Sequence, residues 1–138
     1  LYKNRDLVSG ESIELGSELE ISIQISISED LSEFSIAMDF LNEHSELISH
    51  VTNEDDGLYF PKITKGEVIQ LSVKTNPLLF IPGMYRINLW LGIGHIESLY
   101  SITNMSCFYI EQSSITKRTK LLPKHSKFFL PTNWSYIK

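Results

Sequence analysis

The chain holds a single cysteine, Cys107, in 138 residues. One thiol closes no intramolecular disulfide and cannot by itself hold a structural zinc. The same scarcity makes a reducing, cytoplasmic compartment the simpler reading. No apolar run approaches the roughly 18 residues that a membrane-spanning helix needs. The four histidines, His44, His50, His95 and His125, form neither an HxH nor an HExxH spacing, so no pair of them is preset on one face for a metal. There is no GxSxG elbow, no GxGxxG and no phosphate loop. Leu91-Gly92-Ile93-Gly94 is too short and lacks a lysine. Cys107 lies inside a strand-like run, away from any helix N-terminus that would stabilise a thiolate. These absences imply no catalytic residues, no cofactor and no metal, and they speak against an enzyme. Asn53-Glu54-Asp55-Asp56-Gly57 is acidic but lacks the alternating oxygen ligands and distal glutamate of a calcium loop. It reads as a solvated turn.

The net charge is −5 and the sequence pI about 5.3, which argues against nucleic acid as a partner. The charge is divided unevenly. Residues 1–60 carry fourteen Asp and Glu against Lys3 and Arg5, a net of −12. Residues 61–138 carry ten Lys and Arg against Glu67, Glu97 and Glu111, a net of +7. Complementary halves can attract each other across the fold or across a dimer. The sharper alternative is a basic C-terminal patch for an anionic partner.

What the chain does have is alternation. Leu19–Ser28 reads Leu-Glu-Ile-Ser-Ile-Gln-Ile-Ser-Ile-Ser, a strict period of two. A helix would scatter those isoleucines round its circumference, so this is a half-buried strand. Phe34, Ile36, Met38 and Phe40 repeat the pattern, with Ser35, Ala37 and Asp39 opposite. A third run sets Ile69, Leu71 and Val73 on one face. A fourth sets Tyr85, Ile87, Leu89 and Leu91 on one face, against Met84, Arg86, Asn88 and Trp90. The fifth, Ser106–Glu111, alternates Ser106, Phe108 and Ile110 with Cys107, Tyr109 and Glu111. Glu11–Leu15, Glu46–Val51 and Gly57–Phe60 are shorter candidates, and Ile96–Met105 reads as a short turn of helix or a loop. Turn residues punctuate the runs at Gly16, Asn53 to Gly57, Lys65-Gly66 and Pro82-Gly83.

Short strands at regular spacing with Gly and Pro turns predict an all-β protein, a sandwich or barrel, and the clean alternation favours antiparallel sheets with one wet face. A chain of this length can bury roughly 65–70% of its unfolded surface, enough for one domain. Residues 1–111 form the sandwich body. Residues 112–125 read as a linker, rich in Lys117, Arg118, Lys120 and Lys124 and without alternation. Residues 126–138 return to strand-like composition. So long an irregular stretch is uncommon inside a compact domain, so the last strand is expected to cross to a partner chain. The chain opens on Leu1 rather than Met, and so reads as a piece of a longer protein.

The outer face of Met84–Leu91 carries Arg86, Asn88 and Trp90 in line, where a solvated sheet face needs nothing so specific. In immunoglobulin-like order, Phe34–Phe40 and Ser106–Glu111 flank this strand. They add Ser35, Asp39, Tyr109 and Glu111 to the surface. An exposed aromatic beside amide, guanidinium and carboxylate groups suits sugar recognition: the ring stacks on a pyranose face and the polar groups meet hydroxyls. The carbohydrate-binding candidates are therefore Trp90, Arg86, Asn88, Asp39, Tyr109 and Ser35. The plainer alternative has Trp90 covered by the tail or a dimer partner and Arg86 paired with Asp39.

Several features recur together in one known family. A Phe34–Phe40 strand is followed by Asp56-Gly57, then by Lys65-Gly66-Glu67 leading into Val68–Val73. Leu79-Phe80-Ile81-Pro82-Gly83-Met84-Tyr85 runs into the strand ending at Leu91, Asn104 to Glu111 follows, and Trp134 stands near the end. In this order, from Leu19 to Trp134, the chain resembles the C-terminal domain of Wzt, the nucleotide-binding subunit of ABC transporters that export O-antigen polysaccharides. Gln112–His125 departs from it in lacking glycine.

The resemblance implies an immunoglobulin-like antiparallel β-sandwich, a non-catalytic domain that binds O-antigen polysaccharide on a sheet face. It also implies a homodimer with an exchanged last strand, and an ATPase domain elsewhere in the parent chain. Through that parent the domain would join the transporter's membrane subunit, at the cytoplasmic face of the inner membrane. The alternative is a protein-interaction sandwich, chaperone- or adhesin-like, that associates by strand addition.

Overall fold

The computed structural model describes residues 2–3 by their backbone, and residues 11–94 and 96–137 in full; His95 lies outside the described residues. Eight strands follow in order: β1 (Tyr2–Lys3), β2 (Ser12–Glu14), β3 (Leu19–Ser26), β4 (Phe34–Asn42), β5 (Leu47–Thr52), β6 (Val68–Lys74), β7 (Gly83–Ile93) and β8 (Glu97–Glu111). They build a three-stranded sheet, β1-β3-β6, and a five-stranded sheet, β2-β8-β7-β4-β5. Every pairing is antiparallel except β2 with β8, which is parallel. The chain is the expected immunoglobulin-like sandwich, with β7 flanked by β4 and β8.

The alternating runs place their apolar sides between the sheets. Phe40, Ile87, Phe108 and Ile110 are buried to 2% exposure or less, and Leu19 and Ile21 of the smaller sheet meet them there. Phe40 sets its ring edge-on against Phe80 and Phe108, the geometry aromatic quadrupoles prefer. Tyr85, at the start of β7, is buried, and its hydroxyl donates to the carbonyl of Ile81. That bond closes the Pro82-Gly83 turn onto the strand, as a tyrosine corner does in related sandwiches. Burial pushes the Tyr85 phenol up to about 12.

Two sequence expectations give way. Glu97–Met105 is strand, not helix or loop, because β7 offers it a partner as far as Ile93↔Glu97 and Leu99, Ile102 and Met105 pack on the core. Gly57–Phe60 is not a strand; it follows a 3-10 turn, Asn53–Asp56, capped by Gly57 in the left-handed region at φ 68°. The Asp55 carboxylate there accepts the Thr52 amide at 2.9 Å, so its oxygens serve the turn. No cluster of three or more potential metal ligands occurs among the described residues.

In the single chain the tail adds no further strand. Only residues 127–129 pair with the body: Ile81 N–H donates to Lys127 O and Phe129 N–H to Leu79 O, around a Phe80↔Phe128 bridge. Residues 129–137 belong to no strand of this chain, and Leu130, Trp134, Tyr136 and Ile137 are 78–97% exposed. The reason is geometric: a strand needs a sheet edge, and beyond Phe129 the segment lies against none. The tail leaves the body beside a cleft of about 540 Å³ between the β5 and β6 edges, floored by Met38, Phe40, Val51, Leu71, Val73 and Phe80. Two ion pairs hold its start, Lys127 to Glu46 at 3.1 Å and Lys124 to Glu43 at 4.0 Å. Within one chain, then, the basic half does meet the acidic half.

Candidate functional site

The outer face of the five-stranded sheet is organised in rows across the strands. Cross-strand register sets Ala37 opposite Trp90 and Ser101 beyond it, and Asp39 between His50 and Asn88. A row lower, Arg86 lies between Leu41 and Cys107. These are the contacts that antiparallel neighbours about 5 Å apart make by default.

Trp90 dominates the upper row. Its indole lies along the strand over Gly92, on the spot where a side chain would stand: a Cβ at Gly92 would be 2.1 Å from Trp90 Cη2 and 2.3 Å from Cζ2. Glycine is thus what lets the ring lie down on the sheet, half-buried. Its neighbour across the ladder, Ala37, is too small to push it up. The ring and this alanine border an open depression of about 270 Å³ whose other walls are Asp39, His50 and Asn88.

The polar row is tied in place from both ends. His50 Nδ1 meets Asp39 Oδ1 at 2.5 Å. Asn88 Oδ1 accepts the backbone N–H of Asn104 at 2.8 Å. Asn104 can offer that amide because β8 bulges there: three residues, Thr103 to Met105, stand opposite the single Asn88, and Asn104 takes a left-handed φ of 54°. With its oxygen engaged there, Asn88 keeps its Nδ2 group as the donor for a ligand.

The structure brings together three of the six sequence candidates, Trp90, Asn88 and Asp39. Arg86 is on the same face but outside the depression. It donates from Nη2 to Ser45 Oγ at 2.7 Å, and it does not pair with Asp39, whose directly opposed neighbour is His50. Ser35 sits opposite Gly92 and is 2% exposed, so it is buried structure and offers no ligand contact. Tyr109 is exposed but pairs with Met84 at the other end of β7, six residues from Trp90, or about 20 Å. Glu111 lies just beyond it.

Sequence reasoning missed His50. Counting outward from the Asn42–Glu46 turn would pair Asp39 with Ser49; a register shift between Phe40 and Leu41 moves His50 into that place, and alternation carries no signal for it. It also missed the bulge that anchors Asn88, which needs a left-handed non-glycine residue and has no periodic signature.

Two larger clefts open at the flanks, between β5 and β6 and between β3 and β8, but both are lined mainly by inward-facing aliphatic and aromatic chains. The smaller depression is the one where an aromatic plate meets converging polar groups, the mark of a binding site.

No protein-family model matches the chain, and no curated protein matches it in sequence. Among solved structures, it is similar to the crystal structure of the C-terminal domain of wzt. The TM-score is 0.73 at 10% identity, over 91% of this chain and 74% of that one. At this identity the likeness establishes a shared β-sandwich fold.

Proposed function

We propose that this chain is a non-catalytic carbohydrate-binding domain that recognises an O-antigen polysaccharide for export by an ABC transporter. The observation that carries the reading is the Trp90 indole lying flat over Gly92 beside the His50–Asp39–Asn88 row. A pyranose has an apolar C–H face and a polar rim, and this surface has a plate for the first and hydrogen-bonding groups for the second. The face continues through Arg86 to Met84 and Tyr109, a track about 20 Å long, on which several units of an extended glycan can lie. The fold shared with the wzt C-terminal domain supports the same reading. In it, an ATPase domain of the parent chain and the transporter's membrane subunit hold this domain at the cytoplasmic face of the inner membrane.

The test is isothermal titration of purified O-antigen polysaccharide into the wild-type domain and Trp90→Ala. The expected result is a dissociation constant raised about tenfold, from about 1.5 kcal/mol of stacking, with an unchanged circular dichroism spectrum. Wild-type affinity in the variant refutes the site.

The domain is further proposed to act as a homodimer in which residues 130–137 are exchanged. The support is physical: four large apolar side chains of that segment stand in water, beside an apolar cleft bounded by two free strand edges. A partner's segment paired there would cover both. The same exposed segment favours the second reading, a protein-interaction sandwich that works by strand addition. Deleting residues 130–138 separates the two. The glycan reading expects a monomer that still binds sugar at Trp90. The interaction reading expects loss of all binding.

A further inference from the structure

The polar row of the depression carries a choice among sugars. This inference rests on the glycan-binding reading above and adds the chemical class of sugar that the site takes. Asp39 is central in the row, with His50 on one side and Asn88 on the other. Its Oδ1 is engaged by His50 Nδ1 at 2.5 Å, which leaves Oδ2 as an acceptor. With Nδ1 committed as the donor, a neutral His50 offers Nε2 as a second acceptor. Asn88, its oxygen held by Asn104, offers Nδ2 as a donor. Two acceptors and one donor beside a stacking plate match hydroxyl groups, each of which both gives and receives.

The charge inventory points the same way. The depression is lined by Ala37, Asp39, His50, Asn88, Leu89 and Trp90. Among the described residues it therefore contains one carboxylate and no lysine or arginine. The guanidinium on this face, Arg86, is turned to Ser45. An incoming carboxylate or phosphate would meet the Asp39 carboxylate a few ångströms away, and among the described residues no lysine or arginine lines the depression to offset it.

We propose that the depression selects uncharged sugars, hexoses, deoxyhexoses and N-acetylated hexosamines, and rejects uronic acids and sugar phosphates, with Asp39 as the rejecting group. The rejection works as a built-in repulsion, which often discriminates better than an added attraction.

The experiment is a two-dimensional NMR titration of the ¹⁵N-labelled chain, read at the Trp90 indole N–H and the Asn88 side-chain amide. The probes are the methyl glycosides of mannose, galactose, glucose, rhamnose and N-acetylglucosamine, set against glucuronate, galacturonate and glucose 1-phosphate. At least one uncharged glycoside is expected to shift both signals, and every acidic sugar to bind at least tenfold more weakly. In Asp39→Asn that gap is expected to close to within about threefold. An acidic sugar that moves both signals as strongly as the best uncharged one overturns the selection and leaves the glycan reading standing. A gap unchanged in Asp39→Asn overturns the role of Asp39. A panel in which nothing moves either signal overturns the glycan reading, and this inference with it.

Discussion

Gly92→Ala tests whether the sheet was made smooth for the sake of the indole. The added methyl would lie 2.1 Å from Trp90 Cη2, 2.3 Å from Cζ2 and 2.4 Å from the carbonyl oxygen of Glu97. All three separations are well short of van der Waals contact, so something must move. The ring is the freer party; the carbonyl belongs to the β7–β8 ladder, where Gly92 faces Ser98. Overpacking of this kind costs about 1–3 kcal/mol of stability. Binding suffers separately. An indole lifted off Gly92 no longer offers its face to the depression, and roughly 60 Å² of stacked apolar area at ~25 cal/mol per Å² is worth about 1.5 kcal/mol, close to tenfold in Kd. The assay is a double-mutant cycle. Stability comes from urea denaturation followed by circular dichroism, and affinity from titration with the glycoside that responds in the NMR panel. If Gly92 acts on binding only through the ring, the double variant Gly92→Ala/Trp90→Ala binds as Trp90→Ala alone does. Its stability loss from the glycine change is then smaller than in the wild type but not zero, because the Glu97 carbonyl remains. Wild-type affinity in Gly92→Ala, or losses that multiply in the double variant, would refute the reasoning.

Three further outcomes are expected. Tyr85→Phe leaves the buried Ile81 carbonyl without its hydroxyl donor and costs about 1–3 kcal/mol in urea denaturation. Because burial raises the Tyr85 phenol from 10.0 to about 12, the wild type keeps this contribution below pH 10. It loses it as pH rises through 12, a limb that Tyr85→Phe lacks. Asn104→Val forces a β-branched residue into a left-handed φ of 54° and costs about 1–2 kcal/mol, whereas Asn104→Gly stays within about 0.5 kcal/mol of wild type; equal losses in both would show that the bulge is not held by its backbone angle. Finally, the hydrogen bond from Asn42 and the ammonium of Lys127 hold the Glu46 carboxyl below its ordinary 4.5. A depressed acid contributes stability above its unfolded value and loses it as pH falls through the folded one, so Glu46→Gln should flatten the acid limb of a pH–stability curve below about 4.5.

The sequence carried the fold because the strands are one-sided. Ile21, Ile23 and Ile25 or Ile87, Leu89 and Leu91 can be buried together only by an extended chain, and the turns between them are written in Gly, Pro and Asn. The strand order around β7, and with it the meeting of Trp90, Asn88 and Asp39, followed from immunoglobulin-like connectivity. What stayed hidden depends on register and on single backbone angles. Ser35 alternates outward like Asp39, yet it is covered, because burial depends on what lies over a residue as well as on its face. Tyr109 shares the face but is displaced along it by the full length of the strand, a distance that alternation does not encode. The upper arm of β8 looked irregular since a bulge at Asn104 breaks its period. The tail has the composition of a strand, and within one chain it meets no edge to pair with.

The parallel pairing of β2 with β8 has a mechanical side. β2 enters beside Tyr109 and β8 leaves at Glu111, running in the same direction, joined by bonds such as Tyr109 N–H to Glu11 O and Leu15 N–H to Glu111 O. Tension applied between residues 11 and 112 therefore pulls these strands past each other along their length. The bonds between them lie across the load and share it, so they rupture together and not one by one. The hairpin of β4 and β5, drawn open from its free ends, would instead peel bond by bond. Single-molecule pulling through the two attachment pairs should give a clearly higher rupture force for the first; equal forces would show that this pairing bears no load. A sandwich wired in this way resists load best along the line from the start of β2 to the end of β8.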